Sequence, residues 1–247
     1  MSSSSQRSPW PLAPVAFRDL IESLADDKMV NIVPNDDNAV LRIQRTLLLH
    51  LSPWFRKALT NGFIEGRTLT LRFPGVPSDV IETFVYWIFH GVVCWGDSSS
   101  EAGMPKTHQE LQALLARLWM FGEEHLLPEL QHVAMCALDK QLTYEYPNLE
   151  LLLEVYEGTA PDSLLRKVMA REAASGWRNK QRPNPSGNVY GYSRDDLDRV
   201  GAVPGFTADF ATALERQVIE AHLYGDSQDA FVHYPITQEA LSPEEEI

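Results

Sequence analysis

The sequence predicts a mostly helical α+β protein, with a small sheet beside helices in its first part and a C-terminal helical extension. Three observations lead to this fold class. Short runs of β-prone residues all lie before residue 74. Apolar residues at helical spacing dominate the rest of the chain. Hydrophobic content of 44% and charged content of 22% over 247 residues are typical of a globular protein with its own core.

The first elements are a helix and a hairpin. Apolar residues recur at helical spacing from Phe17 to Leu24, which predicts an amphipathic helix over 15–25. Two β-prone runs, 29–33 and 40–43, enclose a turn-forming stretch of Pro, Asn and Asp. This arrangement is typical of two antiparallel strands joined by a tight connection.

Two short helices and a third strand are predicted next. Thr46 can cap a helix that runs to Leu51, and Ser52 with Pro53 can begin another that runs to Leu59. Apolar residues alternate with polar ones over 69–73, which indicates a strand. A 3.6-residue period over 80–89 then predicts a helix that ends at Gly91.

Helical periodicity continues through the remainder of the chain. It predicts helices at 111–118, 130–138, 149–156, 164–174 and 206–224. The chain divides into a disordered leader, a first domain, a helical extension, an exposed loop, a C-terminal helical region and an acidic tail. These segments span 1–14, 15–142, 143–177, 178–193, 194–235 and 236–247.

The charge and the cysteine count restrict the partners and the compartment. The formal net charge of −13 disfavours binding to phosphates over the whole surface, so direct contact with nucleic acid is not expected. Two cysteines are too few for a disulfide framework, and no signal peptide or membrane span is recognisable. We therefore expect an intracellular protein, in the cytoplasm, the nucleus or both, that does not bind membranes.

The sequence offers no constellation that we would assign to catalysis, to a metal or to a cofactor. His132 and Cys136 are one helical turn apart, but no third ligand is evident, and cysteine in an amphipathic helix is most often a small core residue. Asp196, Asp198 and Gly201 match part of a calcium loop, although we interpret them as an acidic helix start. We expect no enzymatic activity.

One basic cluster interrupts the acidic C-terminal half. Six basic residues and a single acidic one lie between positions 166 and 182; the basic residues are Arg166, Lys167, Arg171, Arg178, Lys180 and Arg182. Such a patch can bind an acidic peptide, RNA or anionic lipid. The alternative, which we favour, is that these side chains complement a helix dipole and the surrounding acidic residues.

A series of positions in the first half resembles a BTB/POZ domain of the type common in fungi. After the hairpin come Leu48-x3-Ser52-Pro53-x-Phe55, then Phe63-x-Glu65, then Leu69-x-Leu71, then Val80-x3-Phe84-x3-Ile88-Phe89-x-Gly91. The segment LARLWMFGEEHLLPELQHVAMCAL is similar to the helical pair of that family, with its Leu-Pro-x-Leu turn. The resemblance covers residues 17 to 142 and implies a small mixed sheet flanked by helices. Where the second strand ends, Gln44-Arg45 replaces a frequent His followed by Lys or Arg.

This resemblance implies protein interaction. BTB domains form homodimers or higher oligomers, in many subfamilies through the helix before the first strand. The matching dimer interface here comprises Phe17, Leu20, Ile21 and Leu24. Relatives that bind cullins carry a hydrophobic-x-Glu element that matches Phe63 and Glu65. The alternative for these two residues is that Phe63 seals the edge of the core while Glu65 is solvated.

The sequence is thus interpreted as a non-enzymatic, homo-oligomerising scaffold or adaptor. Its C-terminal half is expected to bind a protein ligand that the sequence does not identify. A more specific alternative is a substrate adaptor of a cullin-type ubiquitin ligase. A second alternative is a transcription-associated regulator that acts through a partner.

Overall fold

The computed structural model describes residues 27–34, 40–60, 62–93, 107–179 and 191–224. These residues form a mostly helical α+β structure with one three-stranded mixed sheet. The chain divides into two compact units, Met1–Gln141 and Leu142–Ile247. The predicted helix over 15–25 lies outside the described residues.

The sheet of the first unit confirms the predicted hairpin. Strand β1 is Met29–Val33, and β2, Leu41–Gln44, runs antiparallel to it with Val30 opposite Ile43. Strand β3, Thr70–Arg72, runs parallel to β1 on its other side, so the order is β2-β1-β3. Val30 and Ile32, which point to the same side of β1, are buried, as expected for a strand that covers one side of a core, and Val33 at its end is buried as well.

Three short helices separate β2 from β3. They are α1, Arg45–Leu51; α2, Pro53–Thr60; and α3, Ile64–Thr68. The predicted cap at Thr46 is wrong, because α1 begins one residue earlier and Thr46 donates its backbone N–H to Asp27 Oδ2 at 2.6 Å. The predicted start of α2 is correct, since Ser52 Oγ accepts from the Phe55 backbone N–H at 3.2 Å.

The remaining helices of this unit follow β3. They are α4, Ser78–His90; α5, His108–Glu124; and α6, Pro128–Leu142. Gly91 ends α4 in the left-handed conformation with φ 69°, as its position predicted. A capping box of Thr107 with Glu110 begins α5.

An aromatic cluster joins these elements in the core. Phe55, Phe73, Phe84 and Phe121 are buried and in ring contact with one another or with His125. His125 donates through Nδ1 to the Phe121 carbonyl at 2.8 Å, and its burial lowers the pKa of the ring against the effect of that bond. The core therefore favours the neutral imidazole.

All secondary-structure elements among the described residues of the second unit are helices. Its helices are α7, Leu149–Gly158; α8, Leu164–Asn179; α9, Arg194–Gly201; and α10, Phe206–Tyr224. The structure differs from the prediction at both ends of the loop 178–193. Helix α8 continues to Asn179, and Tyr192 is buried because its hydroxyl donates to the Pro147 carbonyl while its ring packs on Gly176.

None of the helices in the described ranges is long and apolar enough to cross a membrane.

Candidate functional site

The predicted dimer interface cannot be compared with the structure. Phe17, Leu20, Ile21 and Leu24 all lie outside the described residues. Their assignment to self-association stays a prediction.

The Phe63 and Glu65 element lies at the start of the short helix α3. Gly62 has a positive φ of 75°, which redirects the chain after α2. Phe63 follows in extended conformation, and its carbonyl accepts from the Arg67 backbone N–H at 3.2 Å, so it closes the first helical turn. This backbone hydrogen bond therefore fixes the position of Phe63 at the start of α3.

The side chains of this element differ in their exposure to solvent. Phe63 is 48% exposed and Ile64 is 64% exposed, whereas Glu65 is half-buried. About half of the Phe63 side chain is therefore covered by the protein, and both interpretations of Phe63 stay predictions. Ile64 belongs to the same surface and was not predicted. The sequence could have indicated that Ile64 is exposed. Phe63 and Ile64 are adjacent apolar residues, and both cannot face the core from one helical turn.

Close backbone packing holds α3 against the end of α2. A Cβ atom added to Gly66 would lie 2.8 Å from the Leu59 carbonyl oxygen, so only glycine fits this approach. The same oxygen accepts from Arg45 Nη2 at 3.0 Å. Arg45, which follows the position where this chain departs from the BTB pattern, thus satisfies the end of α2. The turn that carries the exposed Phe63 and Ile64 is therefore held in place by close backbone packing and by a side-chain hydrogen bond.

A second exposed apolar group lies at the end of α4. Tyr86, Phe89 and Val92 are 38%, 54% and 46% exposed. The ring of Tyr86 stacks on His90 with centroids 4.1 Å apart. Single exposed apolar residues are ordinary on protein surfaces.

The predicted basic patch is corrected at Arg166, whose side chain is buried. Its Nε donates to Thr159 Oγ1 at 3.0 Å, and Nη2 donates to the Tyr156 and Thr159 carbonyls. Nη1 reaches the Pro204 carbonyl at 3.4 Å. Arg166 therefore joins segments within the second unit and contributes nothing to a surface.

The other members of the cluster differ in their surroundings. Arg171 Nε lies 2.8 Å from Glu172 Oε1, and Arg178 Nη1 donates to the Gln217 carbonyl at 3.3 Å. Lys167 is exposed. Lys180 and Arg182 lie outside the described residues. The structure thus brings Arg171 and Arg178 into contacts within the unit.

Cys136 is exposed on α6, so its interpretation as a core residue is wrong. Its Sγ lies 3.8 Å from His132 Nε2. Partial burial raises the pKa of the thiol, and Asp139 raises it further. Within the described ranges, no group of three or more His, Cys, Asp or Glu side chains in one chain could hold a metal ion.

The acidic stretch that resembles a calcium loop is a helix start, as interpreted. Ser193 Oγ accepts from the Asp196 backbone N–H at 3.1 Å, and Asp196 Oδ2 accepts from the Ser193 backbone N–H at 2.8 Å. This reciprocal capping box begins α9.

Neither a scan against models of known protein families nor a search of curated proteins gave a match to this chain.

Proposed function

We propose that the chain is a non-enzymatic protein interaction module with a BTB/POZ domain at residues 15–142, which self-associates and acts as a scaffold or adaptor. One observation carries this proposal: the described elements follow the order that the resemblance implies. The hairpin is followed by a helix at Ser52-Pro53, the third strand, a helix that ends at Gly91 and a helical pair separated by Leu127-Pro128.

Self-association is proposed to involve the predicted helix over 15–25. An apolar stripe on such a helix needs a cover, either from its own core or from a second copy. A dimer presents two copies of each binding surface and thereby raises the effective concentration of a ligand.

Light scattering coupled to size exclusion tests this role of the helix. We expect Leu20→Ala with Leu24→Ala to lower the mass of the particle towards that of one chain. The matched control is Asp19→Ala with Glu22→Ala, which changes the polar face of the same predicted helix and should leave the mass unchanged. Equal masses for both double variants would contradict the assignment.

The adaptor alternative is favoured by the exposed turn at α3. Phe63 and Ile64 offer apolar surface for a partner's pocket, and the carboxylate of Glu65 lies beside them, where it can fix the register of binding. This is the arrangement that the resemblance assigns to cullin contact.

Co-purification with a cullin tests the adaptor alternative. Phe63→Ala with Glu65→Ala should abolish it, because truncated hot-spot residues commonly cost a complex 2 kcal/mol or more, a factor of about 30. The matched control is Phe89→Ala with Glu82→Ala, which removes one exposed phenylalanine and one exposed glutamate from α4. Retention by the first variant, or equal loss in both, would refute the site.

A further inference from the structure

One side of helix α10 packs within the second unit. Phe206 and Gln217 are buried, and Gln217 donates through Nε2 to the Ser175 hydroxyl of α8 at 2.8 Å. Phe210 and Ala213 lie on the same side of α10 as these two residues and are half-buried. The side of α10 that points away from α8 is therefore the side that a partner could reach.

That opposite side of α10 is exposed and carries large apolar side chains near its end. Val218, Ile219 and Leu223 are each at least half exposed. Ala208 and Thr212, nearer the start of the helix, are also exposed. At 3.6 residues per turn, Ala208, Thr212, Ile219 and Leu223 lie within about 60° of one another around the helix axis. These four residues form one stripe, the α10 face, which is small at its start and large and apolar at its end.

Two residues of opposite charge lie at the middle of the α10 face. Glu215 and Arg216 are both exposed, and they flank the stripe on its two sides. The point midway between them is also the midpoint of the face, since it is equally far along the chain from Ala208 and from Leu223. The midpoint therefore divides the face into a half with small side chains and a half with large ones.

Two copies of α10 that pack antiparallel would match this pattern in size. A two-fold axis through the midpoint sets Ala208 of each copy opposite Leu223 of the other, and Thr212 opposite Ile219. A small side chain then meets a large one at each of these positions. Such pairing lets the side chains of two helices interdigitate at close approach.

The same axis also matches the charges. It sets Glu215 of each copy opposite Arg216 of the other, so that two pairs of opposite charge flank the axis. A parallel pair in the same register would instead set Glu215 opposite Glu215 and Ala208 opposite Ala208. Like charges and a gap between small side chains would both oppose that arrangement. The α10 face is therefore complementary to a second copy of itself in the antiparallel orientation.

We propose that the α10 face joins two copies of this chain through an antiparallel helix pair. The pair runs from Ala208 to Leu223, about 22 Å of helix. A contact through one short helix is small beside a standard protein interface, so it is weak by itself and gains strength when other contacts already join the copies. Its role in a larger assembly thus rests on the self-association proposed above. The contact itself lies in the other unit and does not depend on the predicted helix over 15–25.

Chemical cross-linking of the full chain tests the orientation. Every protein carries Cys94→Ser and Cys136→Ser, which removes both native thiols. One preparation then carries Ala208→Cys, and a second, lengthened by a tag so that it differs in mass, carries Leu223→Cys. A short thiol-specific cross-linker added to the equilibrated mixture should give mainly the mixed dimer, because the antiparallel pair sets these two positions opposite each other. The matched control is Lys167→Cys, at an exposed position on α8, which should give no product.

Exchange of the two charges tests whether they fix this pairing. Glu215→Arg and Arg216→Glu each set like charges opposite each other in the antiparallel pair. Each should lower the yield of mixed dimer about threefold or more at low ionic strength. The double exchange restores opposite charges and should recover the yield. Far-UV circular dichroism checks that each variant is folded.

Three results would overturn the inference: no cross-linked product, homodimers in the same yield as the mixed dimer, or single charge variants that keep the full yield. A face that binds a different protein or a lipid surface gives the first of these results with the purified chain. The particle mass of the variant with Leu20→Ala and Leu24→Ala reports separately on the self-association proposed above. Failure of that proposal is therefore distinguishable from failure of the α10 contact.

Discussion

Replacement of Arg166 by methionine should destabilise the second unit substantially. Arg166 is 6% exposed, and its guanidinium contacts the Tyr156 and Thr159 carbonyls, the Thr159 hydroxyl and the Pro204 carbonyl. It also lies over the Tyr156 ring, 5.0 Å from the centroid. Methionine keeps much of the apolar stem but provides no donor.

The expected loss follows from two opposing effects. Hydrogen bonds to a charged group contribute about 1.5 kcal/mol each at the lower end of their range, so four contribute about 6 kcal/mol. Removing the cation also removes its burial penalty, which is several kcal/mol. We expect a net decrease of about 2–4 kcal/mol in the free energy of unfolding of this unit.

The matched control is Lys167→Met, the same replacement at the next residue, which is exposed. It should change the unfolding free energy by less than about 0.5 kcal/mol. Urea denaturation gives the free energies, and amide hydrogen exchange localises the effect to residues 142–224. Equal stability of the two variants would refute the assignment of Arg166 as a buried structural residue.

Three smaller perturbations test other parts of the structure. Gly176→Ala should lower the thermal midpoint, at a cost of about 1–3 kcal/mol, because the new Cβ would lie 2.9 Å from a ring atom of Tyr192; Gly201→Ala, whose Cβ would meet only ordinary contacts, should not. Ser193→Ala should cost about 1 kcal/mol in urea denaturation through loss of the α9 cap, and no change would contradict the capping geometry. Because the pKa of His125 is lowered in the folded state, the folded state binds this proton less readily than the unfolded state does, and stability should decline as pH falls below ~6.5. His125→Gln should reduce this decline in urea titrations at several pH values. An unchanged decline in the variant would contradict this role of His125.

The sequence predicted elements with strong local signals well. Helix α10 matches its predicted range 206–224, and Gly91 and Ser52 mark element ends where expected. Such signals depend on residues close together in the chain. Helix α3 was missed because five residues, one of them glycine, carry no apolar period.

Whether a side chain is buried or exposed depends on contacts between residues that are distant in the chain, so these features were predicted less well. The burial of Arg166 depends in part on Pro204, which is 38 residues away, and that of Tyr192 on Pro147, which is 45 residues away. No local pattern reports such partners. The exposure of Cys136 likewise depends on which face of α6 meets the core, and the core interpretation was based on the general tendency of cysteine to be buried.

The central claim, that this chain is a self-associating interaction module, is tested most directly by its mass in solution. Light scattering of the full chain, over a wide range of concentration, should give at least twice the 27.9 kDa of one chain. A mass of one chain at every concentration would contradict the claim.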